Sequence, residues 1–99
     1  MDQHVRAEKL AENLLVFIQK VHDKEGLDKE LLSVILQEFQ QLTSILKDNK
    51  AIPKVLVMIL IDMVAVLHTD ALYYKDDVEQ SEIYLAADQL AYAAYELCS

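Results

Sequence analysis

Three histidines, His4, His22 and His68, and one cysteine, Cys98, are the side chains of this chain best suited to chemistry. A metal site built on helices needs ligands one turn apart, as in Glu-x-x-His or His-x-x-x-His, because only residues three or four apart share a face. None of the histidines belongs to such a pair. His4 and Glu8 are four apart, but they stand alone near the N-terminal end. No metal or other cofactor is expected, and with one glycine in the chain no glycine-rich loop exists to cradle a phosphate. A lone cysteine cannot close an internal disulfide, so Cys98 reads as an incidental thiol and no enzymatic centre is expected.

The sharper possibility is the stretch "VLHTDALYY", residues 66–74. It resembles the reactive helix of histidine phosphotransfer domains, which are also four-helix bundles, and the resemblance would make His68 a phosphoryl carrier. In those domains the histidine is followed by a small residue, a leucine and Lys-Gly. Here Thr69, Asp70, Ala71 and Leu72 follow. The lysine that would hold a phosphoryl group and the glycine that makes room for it are missing, and Asp70 brings charge of the wrong sign. His68 is therefore read first as a residue at a helix boundary, with phosphotransfer as the alternative.

Charge is distributed unevenly. The chain holds 9 basic and 17 acidic side chains, a net −8, which repels phosphate backbones and argues against nucleic-acid binding. Residues 70–99 carry seven carboxylates against Lys75 alone, a net −6, together with all five tyrosines. Tyrosine beside carboxylates supplies rigid contact area with steering charge, a composition suited to a basic protein partner. Leu85 and Tyr92 project away from the inner stripe of their helix on the side of Ser81, Asp88 and Glu96. The candidate contact surface is accordingly Tyr73, Tyr74, Asp76, Asp77, Leu85, Asp88, Tyr92 and Glu96. The competing reading is that tyrosines at bundle edges pack their rings inward with the hydroxyl wet, beside an acidic face that is merely solvated. Over a few positions "ALYYKDD" resembles the tyrosine pair and following acidic residues of nuclease-toxin immunity proteins, without the proline that follows the pair there. That analogy implies an inhibitor that covers its partner's functional surface.

These side chains need elements to hold them, and composition limits those elements to helices. One glycine and one proline leave almost no turn chemistry for hairpins, while Leu, Ala, Glu, Lys and Gln favour helix. Ninety-nine residues make one domain. Apolar periodicity places helices at about residues 5–24, 28–47, 53–74 and 78–97. The first turns Ala7, Leu10, Ala11, Leu14, Leu15, Phe17, Ile18 and Val21 to one side; the second turns Leu31, Leu32, Ile35, Leu36, Phe39, Leu42 and Leu46 inward. Gly26 is expected to be the left-handed cap of the first helix and Asp28 the N-cap of the second. Pro53 suits a first helical turn. Asp76 with Glu79, or Asp77 with Gln80, has the form of a capping box, and Ile83, Ala87, Leu90, Ala94 and Leu97 line the inner face of the last helix. Similar lengths and short connections favour an antiparallel up-and-down four-helix bundle.

The third helix holds "VLVMILIDMVAVLH", residues 55–68, an apolar run interrupted by Asp62. It is too short and flawed for a membrane span, which takes about 20 apolar residues. Lys54, Met58, Asp62, Ala65 and Thr69 share one strip, leaving an apolar arc of about 200°, wider than the ~100° of a one-sided surface helix. Either this helix is the most central of a monomeric bundle or its surplus face meets a second copy or another protein, and a homodimer through this helix is one expectation. The sequence thus predicts an all-α, single-domain, cytoplasmic protein that binds a basic protein as inhibitor, immunity-type protein or antiactivator. The alternatives are a phosphocarrier using His68 and a structural subunit of a larger helical assembly.

Overall fold

A computed structural model of the chain describes residues 3–45 and 54–98. It contains four helices, α1 (Gln3–His22), α2 (Lys29–Ile45), α3 (Lys54–Ala71) and α4 (Asp77–Cys98), and no strand among the described residues. The fold is an all-α four-helix bundle with extents of 44 × 21 × 20 Å. Pro53, Leu46 and the 46–53 connection lie outside the described residues, as do the side chains of His4, Lys54 and Cys98.

The core follows the predicted stripes closely. Ala7, Leu10, Ala11, Leu14, Phe17 and Val21 of α1 are buried against Leu32, Ile35, Phe39 and Leu42 of α2, Leu56, Met63, Leu67 and Ala71 of α3, and Ile83, Ala86, Ala87, Leu90 and Leu97 of α4. Leu15 departs from its expectation and is 54% exposed. It sits about 100° around the helix from Leu14, past the edge of a stripe that Leu14, Phe17 and Val21 already fill.

Neighbours around the bundle differ from a simple up-and-down packing. α1 packs on α2 and α3, and α4 packs on α2 and α3, so among the described residues α2 and α3 face each other only across the diagonal. Side-chain contacts fix the directions. Lys20 meets Asp28, Asn13 meets Glu38 and Arg6 meets Gln41, which sets α1 against α2 head to tail. His22 meets Asp70 at the C-terminal ends of α1 and α3, and Lys29 meets Glu82 at the N-terminal ends of α2 and α4, so those two neighbouring pairs run parallel. The wide apolar arc of α3 is accounted for in part by its two neighbours: Leu56, Met63 and Leu67 are buried, Ile59, Leu60 and Val64 half-buried. Met58, Asp62, Ala65 and Thr69 form its exposed strip.

Helix ends are set by local hydrogen bonds. At the end of α1 the Glu25 N–H bonds to the Lys20 carbonyl (2.9 Å) and the Lys24 N–H to the Val21 carbonyl (3.1 Å), a Schellman motif. The left-handed residue of that motif is Lys24, φ 62°, rather than Gly26 as the sequence suggested. Gly26, φ 91°, turns the chain a second time before α2. Asp28 caps α2 as expected, its Oδ1 accepting the Leu31 N–H at 3.0 Å while Oδ2 takes the Lys20 ammonium at 2.7 Å. The Lys20 bond and the Leu31 N–H hold the Asp28 carboxyl below its ordinary value of 3.8. α3 stops at Ala71, short of Tyr74, because the N–H groups of Leu72, Tyr73 and Tyr74 turn to the carbonyls three residues back.

Candidate protein-interaction surface

Residues of the candidate surface fall on two elements, the 72–76 connection and α4. Asp76 opens α4: its carboxylate accepts the Val78 N–H at 2.8 Å and its carbonyl accepts the Gln80 N–H at 2.9 Å, which makes it the N-cap. Gln80 reaches back with Nε2 to the Ala71 carbonyl at 3.0 Å, tying the start of α4 to the end of α3. Alanines at 86 and 87, fully buried, let α4 lie close on its neighbours, and Ile83, Leu90 and Leu97 anchor it. The inner face is therefore fixed, and with it the outer one.

Along that outer face Leu85 and Tyr92 are 59% and 66% exposed, with Asp88 and Glu96 exposed beside them. The Tyr92 hydroxyl bonds to Glu96 one turn on, and this bond to a carboxylate raises the phenol above its ordinary 10.0. Two further residues belong here that the candidate set omitted, Val78 and Tyr95, 65% and 72% exposed. Their signal was present in the spacing: Val78, Ser81, Leu85, Asp88, Tyr92 and Tyr95 succeed one another by three and four residues in alternation, one continuous face of a helix.

The two adjacent tyrosines of the connection part company. Tyr73 is exposed, with the Lys24 ammonium 5.9 Å from its ring centroid. Tyr74 is only 8% exposed and cannot be offered to a partner as the sequence reading proposed. Its hydroxyl donates to the Val21 carbonyl at 2.7 Å and accepts the Gly26 N–H at 3.2 Å, closing the end of α1 onto the end of α3. Burial pushes this phenol above its ordinary 10.0, against the opposing pull of the Gly26 N–H. Asp76 and Asp77 stand exposed nearby. The structure thus brings Leu85, Asp88, Tyr92 and Glu96 together, sets Tyr73, Asp76 and Asp77 at the α3–α4 end, and takes Tyr74 into the core.

Of the groups with chemical reach, His68 is exposed on α3 with its ring edge on Tyr84, centroids 5.1 Å apart. His22, far from α3 in sequence, meets the nearly buried Asp70 with Nδ1 3.2 Å from Oδ1, while Asp70 Oδ2 is buried without a hydrogen bond. Among the described residues no three histidine, cysteine or carboxylate side chains gather as a metal site, and no helix is long and apolar enough to cross a membrane. No protein family matches this chain, and neither do any curated protein or solved structure.

Proposed function

We propose that this chain is a protein-binding module of the cytoplasm that acts by occlusion: the outer face of α4 covers a basic functional surface of another protein, in the manner of an inhibitor, an immunity-type protein or an antiactivator. The observation that carries the reading is the exposure of Val78, Leu85, Tyr92 and Tyr95 on one helix face. Large apolar and aromatic side chains held together in water are characteristic of contact surfaces, and Tyr is among the residues that dominate binding energy. α4 supplies steering as well, with five carboxylates and no basic residue. Such a field speeds encounter with a cationic surface and makes it salt-dependent. Binding alone accounts for the face, and no chemical step is invoked.

Affinity capture from lysate tests the reading when it is run at low and high salt with the wild-type chain and a Leu85→Ala/Tyr92→Ala variant. The expected result is a basic protein retained by the wild type at low salt, released at high salt and not retained by the variant. Retention by both chains, or transfer of phosphate from an acyl-phosphate donor to His68 with no such partner found, would contradict it.

A further inference from the structure

The pattern on α4 specifies more than an acidic contact face. Val78, Ser81, Leu85, Asp88, Tyr92 and Tyr95 repeat by three and four, the spacing of the a and d positions of a coiled-coil seam, while the core residues Ile83, Leu90 and Leu97 point the opposite way. The seam spans seventeen residue steps, about 26 Å at 1.5 Å per residue, which is the length of contact two helices make over about two and a half heptads. Any single face of a helix has this spacing; its length, with large apolar side chains ranged along it, suits a second helix laid alongside.

Charge selects which helix. Glu82, which meets Lys29 of α2, and Glu96 border the seam, and Asp88 sits within it between Leu85 and Tyr92. A second copy of α4 laid alongside would bring five more carboxylates and no cation. An all-apolar helix would strip water from Asp88 and give it no partner. We propose that the outer face of α4 receives a basic amphipathic helix of the partner protein, laid along Val78, Leu85, Tyr92 and Tyr95 with an Arg or Lys opposite Asp88. This rests on the binding face of the preceding subsection and adds the form of its occupant. The charged residue in the middle of the seam fixes register, as a single polar residue does in coiled coils.

The test uses the full chain and three synthetic three-heptad peptides, with binding followed by amide and side-chain NMR shifts. One has Leu at a and d, Lys at e and g, and one central core position changed to Arg; the second keeps Leu there; the third has the composition of the first in an order without helical periodicity. The first should bind with shifts confined to the seam, roughly tenfold tighter than the second, a difference of the size expected when a buried carboxylate loses its partner. In the Asp88→Leu variant, at an exposed position that leaves folding intact, the order of the two helical peptides should reverse. Equal binding of the aperiodic peptide to the same face would overturn the helical occupant while leaving the acidic contact face in place. Shifts away from α4, or none, would overturn the proposal, and the salt-dependent capture would then decide the face separately. Concentration-dependent shifts of the seam without peptide would assign it to a second copy and overturn the proposal equally.

Discussion

Replacing Tyr74 with Phe removes one oxygen and two hydrogen bonds, the 2.7 Å bond to the Val21 carbonyl and the 3.2 Å bond from the Gly26 N–H. The Val21 carbonyl keeps the Lys24 N–H as a partner, so its loss is the ordinary net value of one bond, ~1 kcal/mol. The Gly26 N–H has further to fall, but Gly26 is half-buried and water reaches it in part, which limits that contribution to about another 1 kcal/mol. The ring stays and no cavity opens. A total near 2 kcal/mol in a domain of this size lowers Tm by roughly 8–16 °C, at ~4–8 °C per kcal/mol. Thermal and urea denaturation of Tyr74→Phe measure it, with Tyr73→Phe as the exposed control expected within about 0.5 kcal/mol of wild type. Well below its Tm, Tyr74→Phe should bind the partner like the wild type. A Tm loss below about 2 °C, or an equal loss in the two variants, would refute the assignment of Tyr74 to the joint between α1 and α3.

Other perturbations bear on the remaining joints. At Lys24, φ 62°, a β-branched residue fits poorly, so Lys24→Val should cost about 1–2 kcal/mol in urea denaturation while Lys24→Gly is tolerated. Because the folded Asp28 carboxyl ionises below its ordinary 3.8, the ionised form stabilises the fold at neutral pH, and that stability is lost as pH falls through 3.8 and on through the lower folded value. Asp28→Asn retains a capping oxygen without the charge, so its acid-side loss of stability should be shallower than that of wild type in a pH series of melting curves. His22→Ala and Asp70→Asn should be non-additive by at least about 0.5 kcal/mol in a double-mutant cycle, since each removes one half of the same 3.2 Å contact.

What the sequence disclosed and what it withheld divide along physical lines. Burial on α1, α2 and α4 is periodic, and a 3.6-residue period is written in the order of residues, so Phe17, Phe39 and Leu90 were legible as core. Leu15 was misassigned because an apolar residue at the edge of a stripe looks like one inside it. The diagonal placement of α2 and α3 leaves no local signal, being decided by how four apolar faces fit together. Lys24 in the left-handed region was invisible because lysine carries no preference for it, whereas the glycine two residues on drew the expectation. Tyr73 and Tyr74 are identical in type and adjacent, and only the carbonyl of Val21 waiting across the bundle end separates a surface residue from a buried one. On α4 the seam through Val78 and Tyr95 was legible in its spacing, but a search for one inner stripe passes over a second stripe facing water.

Hydroxyl-radical footprinting of the free chain and of the complex captured at low salt shows which face the partner covers. Tyr92, Tyr95 and Met58, all more than half exposed in the free chain, serve as reporters on two different faces. Occlusion through α4 predicts that Tyr92 and Tyr95 become protected in the complex while Met58 on α3 is oxidised as before. Unchanged oxidation of both tyrosines with protection at Met58 would contradict it and move the contact to the exposed strip of α3.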